Sequence, residues 1–404
     1  MQSKMIEYSE FEIYIHIPFC VRKCGYCDFL SFPAGKDVQT RYMEALKRET
    51  RLTGKMLRRQ AKTVSSVFIG GGTPSVLEEG QIAGIMQELH EQFSILPDAE
   101  ITIEANPGTV DLSKLRSFRS AGINRISIGC QSMHDSELIR MGRIHDRAAF
   151  LESYELARKA GFDNINLDLI SALPGQSLQS WRETLHAAAA LEPEHISAYS
   201  LILEEGTPFF EQRDTLQLPD EDTEREMYEE TAEILSQYGF QQYELSNYAK
   251  PGRACRHNLG YWTGVPYLGM GLGAASYWPA ETAGADREEQ EKTWMARFRK
   301  TADLKSYLHL LSEDETAQIP ENSDSYELLG KTGCMAEFMI LGLRLTDGIS
   351  RKEFRRRFQN DLQDVYGGIL QKYTAAGLLY NGEDRVFLTR RGRSLANVVM
   401  MEFL

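Results

Sequence analysis

Short runs of alternating apolar residues and longer segments of helical period take turns along the first half of the chain. The runs are EIYIHIPF, VSSVFIGG, AEITIEANP, NRISIGCQS, NINLDLISALPG and HISAYSLIL, between positions 12 and 203. Their β-branched and aromatic content, with apolar residues at every second position, predicts strands. Segments 37–59, 77–93, 112–121, 146–160 and 177–191 carry apolar residues three and four apart, and several stop at Gly, as in RSAG and ARKAG. Six strands alternating with helices predict βαβ crossovers and a parallel α/β sheet. Six units fall short of a closed eightfold barrel. A partial (β/α)6 TIM-like barrel or an open doubly wound sheet is expected.

The alternation ends after 203. Residues 221–239 predict a charged amphipathic helix with a Gly stop, and 241–278, rich in Tyr, Gly and Asn, predict loops with short strands. The polar stretch 279–293 predicts an exposed linker. Near 324 a new pattern begins. SYELLGKTGCMAEFMILGLRL and SRKEFRRRF predict helices, a third helix runs into AAGLL, RVFLTRRG predicts a wing, and RSLANVVMMEFL closes the chain. That order is winged-helix-like. Three regions follow: 1–240 as the partial barrel, 241–323 as a loop-rich connection, and 324–404 as a mainly helical C-terminal domain.

Composition narrows the class. No run of about 18 apolar residues is present, so no transmembrane segment is expected. The N-terminus lacks the basic and apolar regions of a secretory signal. Six cysteines, three of them in one short loop, fit a metal site in a reducing cytoplasm better than a disulfide framework. A formal net charge of −13 disfavours nucleic-acid partners.

That loop is CVRKCGYC, with Cys20, Cys24 and Cys27. Thiolates bind soft metals. A structural zinc site needs four ligands, and the next cysteine, Cys130, is distant in sequence. An iron–sulfur cube with three protein thiolates would leave one iron without a cysteine, able to bind a ligand. Zinc completed by a distant ligand, or three incidental thiols, are the alternatives.

Ligands of parallel α/β folds bind at the carboxyl ends of strands. The cysteine loop follows strand 1 and GGGTPS follows strand 2. Glu104, Gln131 and Asp168 stand near the ends of strands 3, 4 and 5. Bare glycine backbone lets a ligand approach closely. The three polar side chains can accept hydrogen bonds from an ammonium or ribose hydroxyls, and Arg143 can pair with a carboxylate. Together they suit an amino acid joined to a nucleoside. A plain Gly turn, helix caps and a solvated loop arginine are the structural alternatives.

YIHIPFCVRKCGYCDF, GGGTPS, CQS and INLDLISALPG resemble the radical S-adenosylmethionine (SAM) superfamily. The similarity is to the branch of oxygen-independent coproporphyrinogen III oxidase and its heme-chaperone relatives. It extends through HNLGYWTGVPYLGMGLGAASY and EFMILGLRLTDGIS, so it covers nearly the whole chain. The resemblance implies a [4Fe–4S] cluster on Cys20, Cys24 and Cys27, with SAM on the remaining iron. It further implies that Tyr14, Gly71, Gly72, Thr73, Glu104, Gln131, Arg143 and Asp168 line SAM sites, with Ser200 a further candidate. An electron donor to the cluster is implied as well.

Two motifs separate the branch members. The oxidase carries another Cys two positions after the third, where this chain has Phe29. CRHNLGYW, with His257, Asn258, Tyr261 and Trp262, resembles the HNxxYW signature of the heme chaperones. The resemblance then implies heme contact at His257, with Cys255 an alternative, and heme transfer to acceptor hemoproteins. A structural histidine with packed aromatics is the competing reading. Oxidative decarboxylation of a porphyrinogen is the enzymatic alternative. A DNA-binding winged helix, carried by Arg355, Arg356 and Arg357 around Phe354 and Phe358, is the remote one.

Overall fold

A computed structural model describes residues 8–57, 62–280, 294–313 and 323–404. Six strands, β1 (Glu10–Ile17), β2 (Thr63–Gly71), β3 (Ile95–Ala105), β4 (Arg125–Gln131), β5 (Ile165–Ser171) and β6 (His195–Ser200), pair in parallel in chain order. The crossovers carry α1 (Lys36–Leu57), α2 (Glu79–Gln92), α3 (Leu112–Ser120), α4 (Asp135–Arg140), α5 (Arg147–Lys159) and α6 (Leu178–Ala189). Local chemistry starts several of these helices. Asp111 accepts from the Lys114 amide at 2.9 Å and Asp146 from that of Ala149 at 2.8 Å, caps that contribute about 1 kcal/mol each.

The two faces of the strands differ sharply. On β1, Phe11, Ile13, Ile15 and Ile17 are buried in the main apolar core, while Glu12, Tyr14 and His16 take the alternate positions. The same parity puts Ser66, Glu100, Arg125, Asn166 and His195 on the inner face, all buried. The interior of the partial barrel is therefore filled by a bonded polar lattice, and the aliphatic core lies between sheet and helices.

The sheet does not close. After α7 (Pro208–Glu211) and α8 (Glu221–Gln237), β7 (Gln241–Gln242) and β8 (Asn247–Ala249) extend it antiparallel beyond β6. Helix α9 (Arg256–Thr263) follows, and β9 (Tyr267–Met270) joins the free side of β1 in parallel. β10 (Ala275–Pro279), β11 (Met295–Lys300) and β12 (Ser323–Leu329) continue antiparallel from it. Most of the linker expected over 279–293 lies outside the described residues, and its first residue, Pro279, belongs to β10.

One expected helix starts later than its period suggests. Residues 325–329 pair with β11, and the helix begins only after Gly330, as α11 (Lys331–Gly342). The exposed edge of β11 recruits this segment, so tertiary pairing overrides local periodicity. Helix α10 (Leu304–Glu313) precedes β12. Helices α12 (Arg351–Phe358) and α13 (Leu362–Ala375) pack with α11 around a second apolar core. A small sheet of β13 (Ile349–Ser350), β14 (Leu379–Asn381) and β15 (Arg385–Leu388) closes this mainly helical region. Among the described residues no helix is long and apolar enough to cross a membrane.

Candidate functional site

The carboxyl ends of β1–β6 surround a cavity of about 310 Å³. Cys20, Cys24 and Cys27 line one side, and Gly71, Gly72 and Thr73 another. Glu104, Gln131, Arg143 and Asp168 complete it. The structure thus gathers residues from five strand ends and their loops. Tyr14 is not in the lining; its hydroxyl bonds His16 Nδ1 at 3.0 Å. Ser200 faces the other way and bonds Glu224.

The cysteine loop is anchored by backbone and arginine. Cys20 N donates to Phe32 O at 3.1 Å, and Gly25 N to Met141 O at 3.1 Å. Arg22 donates to the carbonyls of Gly142 and Arg143. Cys20 Sγ lies 3.4 Å from Thr73 Oγ1. All three thiols are free and partly exposed. Among the described residues no three His, Cys, Asp or Glu side chains converge closely enough for a single metal ion.

Gly71 has φ +112°, and a Cβ there would lie 2.4 Å from the His16 ring. Its N–H donates to Glu104 Oε2 at 3.0 Å. Burial, with the Asp168 carboxylate adding to it, pushes the Glu104 carboxyl up to about 8. Burial also raises Asp168, against hydrogen bonds from Ser127 at 2.7 Å and Asn166 at 2.9 Å. Gln131 reaches the cavity because β4 breaks register after Ile128 and Gln131 adopts φ +68°.

Arg143 is a hub. Nη2 donates to Asn106 Oδ1 at 2.6 Å and Gly129 O at 3.1 Å; Nη1 lies 3.6 Å from Cys24 Sγ and 3.5 Å from the Tyr26 hydroxyl. Asn106 also donates to Thr73 Oγ1 at 2.7 Å. Asn106, Tyr26, Ser127 and Tyr199 also line the cavity and carry no motif of their own in the sequence. Strand parity signals Ser127 and Tyr199, since Ser197 and Tyr199 share the inner face and Ser200 lies outside, whereas Tyr26 sits in the cysteine loop and has no such signal.

His257 lies at the other end of the barrel. On α9 it is 1% exposed and sits against β1, β2 and β3. Nδ1 is 2.7 Å from Ser66 Oγ and Nε2 is 3.0 Å from the Tyr261 hydroxyl. Its amide donates to Glu100, and its ring stacks on Phe68. Burial, aided by the Arg125 guanidinium, pulls its pKa down to about 3. Gly260 makes this approach possible, since a Cβ there would strike the Glu12 carboxylate. Cys255 is buried, and its thiol donates to Glu100. The HNxxYW segment therefore plugs the barrel floor, with both imidazole nitrogens occupied. Ser66, in the middle of β2, and Gly71, at its carboxyl end, are about 16 Å apart along the strand.

Fold, three-thiol loop and strand-end carboxylates together define a radical SAM protein. The Radical SAM superfamily matches residues 14–188 and the HemN C-terminal domain matches 332–395. A heme chaperone HemW of Bacillus subtilis is 36% identical, over 97% of this chain and 98% of that protein. HemW of Escherichia coli is 40% identical over 67% and 71%. Among solved structures, coproporphyrinogen III oxidase (HemN) from Escherichia coli superimposes with a TM-score of 0.81 at 25% identity, over 98% of this chain and 91% of that one. The chain belongs to the HemW family of radical SAM proteins. Membership implies a [4Fe–4S] cluster and SAM.

Proposed function

We propose that this protein is a heme chaperone whose cluster is held by Cys20, Cys24 and Cys27, with one iron left for SAM. The observation that carries the reading is the three-thiol cavity with Phe29, 63% exposed, where the oxidase has a further cysteine. Relatives named as heme chaperones across nearly the full length support it. When bound, cluster and SAM supply one-electron chemistry. The chain's own residues position the ligand. Glu104, Gln131 and Asp168 offer acceptors for an ammonium and ribose hydroxyls, and Gly71 and Gly72 leave room for it. Arg143, already committed to Asn106 and Gly129, holds the cysteine loop to β3 and β4 and lends charge near Cys24. A cytoplasmic electron donor and an acceptor hemoprotein complete the cycle.

The fold likeness to the oxidase favours a second reading, oxidative decarboxylation of coproporphyrinogen III. Two anaerobic assays on the reconstituted protein decide. Heme titration is expected to give a saturable Soret shift at one heme per chain, and no shift refutes the chaperone. Incubation with coproporphyrinogen III, SAM and a reductant is expected to yield no protoporphyrinogen IX beyond one turnover. Multiple turnovers establish the oxidase instead.

A further inference from the structure

A second cavity, of about 320 Å³, opens where the sheet extension meets the C-terminal helices. Its walls are aromatic: Tyr261 of α9, Tyr267 and Tyr277 of the sheet, Trp294, and Phe338 and Phe358 of α11 and α12. Trp294 stacks on Phe358 at 16°, while Tyr261 and Tyr267 meet edge to face at 4.6 Å between centroids. Two cations stand at the cleft, Arg297 and Arg357. Arg297 pairs with Glu327 and Glu337. Arg357 gives its Nε–H to Glu353 and keeps further N–H donors, with its guanidinium 5.0 Å from the Phe338 ring centroid.

Such a lining favours one chemistry. Flat faces attract a flat apolar ligand, and arginines at the margin attract anionic substituents. The volume falls at the lower end of small-molecule sites, about 300–1,000 Å³. A macrocycle would seat one edge and keep the other in solvent, as suits a ligand destined for transfer. From this the geometry points to the aromatic cleft, not the His257 imidazole, as the heme site. Porphyrin faces would pack on Trp294, Tyr261 and Phe338, and propionates would lie toward Arg297 and Arg357. This rests on the heme-chaperone reading and locates its ligand. Tyr261 connects the two places: its ring lines the cleft and its hydroxyl bonds His257. His257 is then a positioning residue that acts through α9.

The test uses the full-length holoprotein with heme and with metal-free protoporphyrin IX. Recognition by aromatic faces predicts that both bind, within a few-fold of each other. Val265→Phe and Ile340→Phe, which fill the cleft, are expected to weaken both by about tenfold or more while iron content and SAM binding stay at wild-type levels. If one variant misfolds the other still reports. Trp294→Phe supplies an independent measurement, because it removes the fluorophore nearest the ligand and should cut porphyrin-sensitised quenching. Heme binding that survives both filled variants overturns the cleft and leaves the chaperone reading standing, as does heme binding without porphyrin binding. No heme binding by the wild type overturns both.

Discussion

Glu104→Gln isolates the cost of the buried carboxyl at the centre of the cavity. Lifting a carboxyl from 4.5 to about 8 penalises its ionised form by about 5 kcal/mol, at 1.36 kcal/mol per pH unit. The sign follows from linkage. Below pH 4.5 folded and unfolded chains both hold the proton, so the group is neutral toward stability. Between 4.5 and about 8 the unfolded chain releases a proton that the folded chain keeps, so stability falls as pH rises. Gln keeps an acceptor for the Gly71 N–H and never ionises. The variant is therefore expected to match the wild type near pH 4.5 and to exceed it above pH 8. The gain is at most about 5 kcal/mol, smaller where the site relaxes. In a chain of this length that is a Tm rise of several degrees. Anaerobic thermal unfolding of the SAM-free protein from pH 5 to 9, both forms in parallel, measures it. A Tm difference that is constant with pH, or that moves against the variant at high pH, refutes the reasoning.

Other perturbations probe the remaining parts. Cys24→Ala should abolish the brown chromophore and most of the iron; full iron content would remove the thiol from the cluster. Gly71→Ala forces a Cβ onto His16 at φ +112°, so about 1–2 kcal/mol of backbone strain adds to the clash. SAM affinity measured by anaerobic calorimetry should fall at least tenfold. His257→Ala strands the Tyr261 hydroxyl and removes one of the two partners of Ser66, which still donates to Glu12 Oε1, at a cost of about 1–3 kcal/mol, read as a lower Tm with the iron content intact.

The first six strands were legible because each carries its own period and its polar residue stands at its end. Cys20, Glu104 and Asp168 could be placed on one rim from strand order alone. The later strands were not legible. β9 is only Tyr267–Met270 and finds its partner in β1, more than two hundred residues earlier, a pairing no local period encodes. Residues 325–329 read as helix because their apolar spacing is ambiguous, and the free edge of β11 decides. Gln131 enters through a register break, and Arg143 bonds Asn106 and Gly129 across the cavity. Both depend on tertiary geometry. His257 stood out by motif, and the motif says nothing of which end of the barrel it occupies.

The thiol cavity and α9, whose Tyr261 also lines the aromatic cleft, lie at opposite ends of one barrel, and this has a thermodynamic consequence. Groups about 16 Å apart along a strand do not exchange atoms; they exchange free energy through the lattice between them. Such coupling is reciprocal: by whatever factor SAM alters the hold on heme, heme alters the hold on SAM. Neither ligand can serve as a one-way release signal at equilibrium. Directional delivery of heme then requires a step outside this reciprocity, either consumption of SAM or capture by an acceptor that binds heme more tightly.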